Sequence, residues 1–295
     1  MLCVSQLLTL DKPSNARTRR LRTSRGVFAV LDTEPADPVQ YRGTALLVPG
    51  FMGSKEDFLP VLSGLSRGGY RVLAMDGRGQ HETGTASSAP SYAKSELARD
   101  VVAVARQLDA GAVHLVGHSY GGLIARAAVL DTLGDPSLWA SLTLMNFGPG
   151  PVSAAQQERL RMLLSGLESM TPAEIWPFIE NQESDVAVGV KEFLRRRWLA
   201  NAPEHLTAAA DQMLGETDLT TRLADIDLAK AVVSGSPDAT WSPEDVEQMA
   251  HRLGADLISL PGGGHSPNVH LPNETAAALV DFWDRCGTAF QRRSS

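Results

Sequence analysis

The sequence predicts an α/β fold in which helices flank a mostly parallel central sheet and an all-helical segment is inserted. Two observations support this fold class. Short apolar runs alternate with helical patterns from Thr44 onward, and the alternation is interrupted once, over residues 152–228, where only helical patterns occur. Strands that alternate with helices imply parallel pairing through right-handed crossovers. The polar residues that follow these strands should therefore meet at one edge of the sheet.

The composition is that of a globular protein, and it excludes several classes. The 295 residues are 43% hydrophobic and 21% charged, which is enough for a large core. A net charge of −7 argues against nucleic acid as a partner. Cys3 and Cys286 lie at opposite ends, so no disulfide framework or metal-ligand spacing is indicated. No window approaches the ~20 apolar residues of a membrane span, and we expect a cytoplasmic location.

The N-terminus does not have the order of a secretory signal, because its apolar stretch precedes its arginine-rich run. We expect residues 1–19 to form a flexible arm. The remaining boundaries are 20–151 for the first part of the α/β core, 152–228 for a helical lid and 229–295 for the second part of the core.

The first half of the core begins with a hairpin over 20–32, whose turn contains Gly26. The fully apolar run 44–48 indicates a strand buried on both faces. Further patterns predict helices over 55–65 and 91–108, and strands over 70–75, 112–116 and 142–145. After the insert, strands are predicted over 231–234 and 256–260, and helices over 243–253 and 273–287.

The segment AVHLVGHSYGG, residues 112–122, is a strand followed by G-x-S-x-G and then by a helical pattern. This context is typical of a nucleophile elbow, in which a sharp turn raises a serine hydroxyl above the sheet. Ser119 is therefore the candidate nucleophile. Gly117 and Gly121 allow strand and helix to approach closely, and the Tyr120 amide lies at the helix N-terminus, which favours negative charge.

A serine nucleophile needs a base and an acid that orients the base. His265 follows a predicted strand in PGGGHSP, where three glycines allow the loop to place it over the sheet edge. Asp238 follows the neighbouring strand in GSPD. The strand before the insert ends in Asn146, so it offers no alternative acid.

A tetrahedral intermediate also needs donors for its oxyanion. The Tyr120 amide is one candidate, and the Phe51 amide in the loop PGFMGS is the other. Four further side chains beside these groups are predicted to line the substrate pocket: Met52, His118, Phe147 and Trp241. The aromatic residues of the insert are predicted to be mainly its core: Trp176, Phe178, Phe193 and Trp198.

From residue 20 to 287 the chain resembles lid-bearing α/β-hydrolase proteins, close to bacterial esterase and lactonase-like members. The resemblance rests on PGFMGS, DGRG, GHSYGG, GSPD and GGGHSP in the family's order. It implies a Ser119, Asp238 and His265 triad with Phe51 and Tyr120 as oxyanion donors. It implies no metal and no cofactor. Many members carry His-Gly where this chain has Pro49-Gly50, so the rigidity of that loop is in question.

These observations predict a serine hydrolase that cleaves a small or medium, largely apolar ester, lactone or thioester through an acyl-enzyme. Ser119 argues against dehalogenases and epoxide hydrolases, which use aspartate there. The same triad would also serve a cofactor-free haloperoxidase, a C–C bond hydrolase or an acyltransferase. A non-catalytic protein that binds a small molecule on this scaffold is the alternative from another class.

Overall fold

The structure is a computed structural model that describes residues 7–84, 91–180 and 187–293. Its centre is an eight-stranded sheet with the spatial order β1-β2-β4-β3-β5-β6-β7-β8. The strands are β1 (Ala16–Thr23), β2 (Gly26–Thr33), β3 (Gly43–Val48), β4 (Tyr70–Met75), β5 (Val113–His118), β6 (Trp139–Met145), β7 (Lys230–Ser236) and β8 (Asp256–Pro261).

Six of these strands, β3 to β8, pair in parallel, and the β1–β2 hairpin adds antiparallel strands at the β4 edge. The predicted mostly parallel sheet is confirmed. Val48 pairs with Gly117, and His118 pairs with Met145, so β3, β5 and β6 end side by side. The loops that carry the candidate residues therefore leave the sheet along one edge.

The described helices are α1 (Leu59–Arg67), α2 (Lys94–Gln107), α3 (Tyr120–Asp131), α4 (Ala154–Ser169), α5 (Pro172–Glu180), α6 (Val188–Ala200), α7 (Pro203–Leu214), α8 (Thr220–Ala224), α9 (Pro243–Leu253), α10 (Pro267–His270) and α11 (Pro272–Arg293). A 3₁₀ turn, Lys55–Phe58, precedes α1 and replaces the start of the helix predicted over 55–65. Buried residues of α1 and α11 form one apolar cluster, and those of α2, α3 and α9 belong to another.

Helices α4 to α8 lie between β6 and β7, where the sequence predicted an insert over 152–228. Trp176, Phe193 and Trp198 are buried in it, as expected for its core, but Phe178 is 65% exposed, so that part of the prediction was wrong. Helix α5 buries Ile175, Trp176 and Ile179, whose spacing places them on one face, whereas position 178 falls outside that face.

The predicted boundary of the N-terminal arm at residue 19 was wrong, because β1 begins at Ala16 and pairs with β2 along its whole length. Arg19 also bonds to Asp32 on β2. The predicted hairpin begins at residue 20, and the residues of β1 before it gave no apolar signal, since an edge strand exposes most of its side chains to water. In the described part of the chain, no helix combines the length and apolar character of a membrane span.

Candidate active site

Ser119 lies between β5 and α3 with φ 52° and ψ −121°, a strained conformation for a residue with a side chain. Two glycines make the turn possible. A Cβ on Gly117 would lie 2.4 Å from the Gly121 carbonyl oxygen, and a Cβ on Gly121 would lie 2.3 Å from the Val48 carbonyl oxygen. The chain therefore passes close to its neighbours on both sides and lifts Ser119 above the end of the strand.

The loop after β8 brings His265 to Ser119, with His265 Nε2 3.0 Å from Ser119 Oγ. Gly264 precedes the histidine with φ 56°, a conformation that favours glycine. The carbonyl of His265 accepts a hydrogen bond of 2.8 Å from Nε2 of His118. A side chain at the end of β5 thus supports the loop that carries His265.

Asp238 lies on the other side of the imidazole, with its Oδ2 2.9 Å from His265 Nδ1. The Thr240 amide donates to Asp238 Oδ1, and Asn146 Nδ2 donates to Oδ2 at 3.0 Å. Burial raises the pKa of Asp238, but the hydrogen bonds and the charge of His265 outweigh it and bring the pKa to about 2. Asp238 is therefore a carboxylate at any working pH, which suits it to orient the histidine.

The predicted oxyanion donors have free amides: no described residue accepts a hydrogen bond from the backbone N–H of Phe51 or Tyr120. Met52, between Phe51 and Gly53, has φ 58°, and such strain at a functional loop needs support from the surrounding structure. Gln80 provides part of this support, because its Nε2 donates a hydrogen bond of 3.0 Å to the Gly50 carbonyl oxygen.

A second support of this loop comes from Asp57 in the 3₁₀ turn. Its Oδ2 accepts the Ser54 amide at 3.1 Å, and its Oδ1 accepts Arg197 Nη1 of helix α6 at 2.6 Å. Asp57 and Arg197 are both buried. Many family members carry a histidine in this loop at the position of Pro49. In this chain the hydrogen bonds of Gln80 and Asp57 hold the loop, and Arg197 holds Asp57.

A small cavity lies next to Ser119 and His265, between the sheet edge and the insert. Its lining includes Tyr120, Phe147 and Trp241, and the Trp241 ring stacks on that of His265, with centroids 6.4 Å apart. The remaining lining residues are Leu123, Gly150, Val152, Met213 and Glu216. Phe147 and Trp241 thus line a cavity, and their contact with a substrate stays a prediction.

The other two predicted pocket residues lie elsewhere, since neither Met52 nor His118 lines this cavity. The prediction was wrong for His118, whose ring is packed beneath the His265 loop. Burial lowers the pKa of His118 to about 4, so the ring is neutral and its Nε2–H donates. Met52 lies in the loop after β3 and is buried.

Sequence reasoning missed four side chains that support the site: Asn146, Gln80, Asp57 and Arg197. Asn146 offered a signal, since it directly follows β6 at the sheet edge where Ser119 and His265 lie. Asp57 offered another, since Ser54 and Asp57 have the spacing of a capping box, and Asp57 accepts the Ser54 amide. Gln80 and Arg197 had no local signal, because their partners are 30 and 140 residues away in the chain. In the described residues, no group of three or more His, Cys, Asp or Glu is arranged to hold a metal ion.

This fold and site define an α/β hydrolase, and comparison with known sequences agrees. The model of the alpha/beta hydrolase family matches residues 45–280, and the chain belongs to that family. It is therefore an enzyme of this fold and a hydrolase.

Individual relatives cover most of the chain. A protein of Variovorax paradoxus (strain S110) with the provisional name carbamate hydrolase RutD is 31% identical over 255 residues, 81% of this chain and 91% of its own. The sn-1-specific diacylglycerol lipase ABHD11 of Danio rerio is 30% identical, over 79% of this chain and 76% of its own. A solved esterase from Thermogutta terrifontis has the same fold, with a TM-score of 0.72 and 22% identity over 92% of this chain and 100% of its own.

Proposed function

We propose that the protein is a serine hydrolase that cleaves a small or medium, largely apolar carboxylic ester, lactone or thioester through an acyl-enzyme. The carrying observation is the chain of contacts from Ser119 Oγ through His265 to Asp238, at 3.0 and 2.9 Å. This is the geometry that nucleophile, base and orienting acid require. The esterase and lipase relatives support an ester as the substrate class.

In the first half-reaction, Ser119 Oγ attacks the carbonyl carbon while His265 Nε2 takes the hydroxyl proton. The carbonyl oxygen becomes an oxyanion, which the Phe51 and Tyr120 amides stabilise; one such donor contributes on the order of 3 kcal/mol. The tetrahedral intermediate collapses, and His265 returns the proton to the leaving alkoxide or thiolate. The alcohol or thiol of an ester or thioester departs, whereas the hydroxyl of an opened lactone stays on the acyl chain. In each case the acyl group remains bonded to Ser119.

In the second half-reaction, water takes the place of the leaving group. His265 removes one proton from it, hydroxide adds to the acyl carbon, and collapse releases the carboxylic acid while Ser119 regains its proton. Asp238 keeps the imidazole in the tautomer with the proton on Nδ1 and stabilises the imidazolium that forms in both halves.

A fluorophosphonate probe, which reacts with activated serines, tests the proposal. We expect the wild type to be labelled at Ser119, and the Ser119→Ala variant to remain unlabelled. Ser137→Ala, which removes an exposed serine, is the matched control and should label fully. A folded wild type that neither labels nor hydrolyses any of a series of acyl esters would refute the serine mechanism.

The same ester assay separates the related chemistries. Hydrolysis should give free acid even when a competing alcohol is present. Transfer of the acyl group to that alcohol as the main product would indicate an acyltransferase. Bromination of an indicator with peroxide and bromide would indicate a haloperoxidase.

A further inference from the structure

The peptide group between Gly50 and Phe51 carries one of the two proposed oxyanion donors. Its nitrogen is that of Phe51, and no described residue accepts a hydrogen bond from this N–H. Its oxygen is the carbonyl oxygen of Gly50. The peptide is trans, so the C=O and the N–H lie in one plane and point in opposite directions. A bond that fixes the carbonyl of Gly50 therefore also fixes the direction of the N–H of Phe51.

This peptide lies beside the nucleophile. A Cβ built on Gly50 would be 3.4 Å from Cβ of Ser119 and 3.4 Å from the carbonyl oxygen of His118. The loop after β3 thus packs in van der Waals contact against the turn around Ser119. A small rotation of the peptide would change where its N–H points relative to a carbonyl that Ser119 attacks.

The backbone of this loop is strained and needs support. The Gly53 amide donates to the Gly50 carbonyl oxygen at 3.1 Å, which closes a four-residue turn. The third residue of the turn is Met52, and its φ of 58° is a conformation that glycine or asparagine normally provides. Pro49, which precedes the turn, has no N–H with which to hold it. The direction of the peptide therefore depends on a contact from outside the loop.

Gln80, in the loop after β4, makes that contact. Its Nε2 donates to the Gly50 carbonyl oxygen at 3.0 Å, so this oxygen accepts two hydrogen bonds, as many as it has lone pairs. Gln80 is 3% exposed, and water therefore does not compete for the bond.

The orientation of the Gln80 side chain is itself fixed. Its Oε1 accepts a hydrogen bond of 2.9 Å from the Gly77 amide. That amide can only donate, so the oxygen of the side chain must face Gly77 and the NH₂ group must face Gly50. A Cβ on Gly77 would lie 2.7 Å from this oxygen, so a residue with a side chain would disturb the contact.

A hydrogen bond to a peptide oxygen also affects the N–H of the same peptide. The bond draws electron density toward the oxygen, so the proton on the nitrogen becomes more positive and a stronger donor. The effect is larger in a buried site, where water does not screen it. Gln80 can thus act on the N–H of Phe51 from the opposite end of the peptide, without contact with a substrate.

We infer that Gln80 is a positioning residue of the oxyanion hole, which holds the Gly50–Phe51 peptide with its N–H toward the substrate carbonyl and strengthens that N–H as a donor. The inference rests on the proposed function, because an oxyanion forms only if Ser119 attacks a carbonyl group. Removal of a whole oxyanion donor lowers kcat by about 10²–10³. Loss of the contact that supports one donor should therefore lower kcat less, by about tenfold.

Gln80→Met removes the donor and keeps a side chain of similar length. Methyl butanoate and methyl thionobutanoate, in which sulphur replaces the carbonyl oxygen, are compared as substrates. Sulphur is larger and a weaker acceptor than oxygen, so the thiono ester gains little from the oxyanion donors. We expect kcat for the oxygen ester to fall about tenfold with little change in KM. The ratio of kcat/KM for the oxygen ester to that for the thiono ester should fall by nearly the same factor.

Gln40→Met is the matched control. It makes the same substitution at an exposed glutamine that precedes β3, at the end of the strand away from Ser119, and it breaks a bond to Asp37. This variant should keep the wild-type rates and the wild-type ratio. An equal loss on both esters in Gln80→Met would mean that the variant is merely destabilised, and the inference would be wrong. Gln80→Leu takes its place if urea unfolding shows that the methionine variant does not fold.

The ¹⁵N resonance of Phe51 gives a reading that needs no turnover. Protein labelled with ¹⁵N-phenylalanine carries eight labelled amides, and the Phe51→Leu variant identifies the relevant one. Loss of the bond to the Gly50 oxygen returns electron density to the nitrogen. In Gln80→Met we therefore expect the Phe51 resonance to move to higher field, and in Gln40→Met to stay in place. A Phe51 resonance that does not move in Gln80→Met overturns the inference.

Hydrolysis of methyl butanoate by the wild type is the separate reading for the proposed function. If no ester is hydrolysed but the Phe51 resonance moves in Gln80→Met, the hydrolase mechanism fails while the role of Gln80 in holding the peptide stands. If the wild type hydrolyses esters and Gln80→Met keeps both the rate and the ratio, the mechanism stands and the inference fails.

Discussion

Asn146 donates a hydrogen bond of 3.0 Å to the carboxylate of Asp238, from the end of the neighbouring strand. The same side-chain nitrogen lies 3.0 Å from the Gly235 carbonyl oxygen and 3.1 Å from that of Gly264, and its oxygen accepts the Gly235 amide. One amide thus joins the loop of the acid to the loop of the histidine.

Replacing Asn146 should reduce catalysis more than substrate binding. Asn146→Leu removes a donor to a charged group, an interaction of about 1.5–3 kcal/mol, and frees the loops of Asp238 and His265. We expect kcat to fall about 10- to 100-fold with a small change in KM, measured with an activated ester. Asn15→Leu, which removes an asparagine bonded to Glu34 far from the site, is the control. An equal loss in both variants would mean that general destabilisation is responsible.

The buried pair of Arg197 and Asp57 predicts a large stability effect. Arg197→Met removes the cation from a carboxylate that is buried and also holds the Ser54 amide. Breaking a buried ion pair from one side costs about 3–5 kcal/mol, and urea unfolding should show that loss. The double variant Arg197→Met/Asp57→Asn should recover part of it, because the charge is then gone as well.

The matched control for that pair is Arg252→Met, which breaks an exposed contact with Asp218. Exposed pairs contribute up to about 1 kcal/mol, so this variant should unfold almost as the wild type does. If Arg197→Met lowers the free energy of unfolding no more than Arg252→Met does, the Arg197–Asp57 pair does not join helix α6 to the loop after β3.

Backbone contacts in the turn around Ser119 predict that Gly121 cannot be replaced by a larger residue. Gly121→Ala would place a methyl group 2.3 Å from the Val48 carbonyl oxygen, and backbone cannot yield as a flexible side chain can. We expect the variant to lose probe labelling at Ser119 and to unfold at lower urea. Gly189→Ala in the first turn of helix α6 meets open space, so it should not destabilise the protein. Full labelling of Gly121→Ala would contradict the close packing of strand and helix.

The sequence predicted the sheet and the positions of Ser119, His265 and Asp238 because each follows a strand in a short glycine-containing motif. Such motifs depend on local backbone geometry, which adjacent residues in the chain determine. The bonds of Arg197 to Asp57 and of Arg126 to Glu216 join residues 140 and 90 positions apart. They depend on how the insert packs, which no local pattern specifies. The wrong position for His118 has the same origin, since its direction is set by the loop of His265.

The buried histidines predict that the protein is sensitive to acid. Burial lowers the pKa of four histidines to about 4 in the folded state, compared with about 6.5 in the unfolded chain: His81, His114, His118 and His205. Between these values the unfolded chain binds more protons, so stability is complete above pH 6.5 and is lost as the pH falls toward 4. Four such groups give a slope of up to about 5 kcal/mol per pH unit. Urea unfolding at a series of pH values between 7.5 and 4.5 measures it.

His205 allows the cause to be isolated. It packs edge-on against Tyr92 and Tyr120, and its Nδ1 is buried with no partner among the described residues. His205→Phe keeps a ring there and removes the titrating group, so the slope should decrease by about a quarter. His251→Phe changes an exposed histidine and should leave the slope unchanged. If stability does not vary between pH 7 and pH 5 in the wild type, these rings are not held neutral by burial.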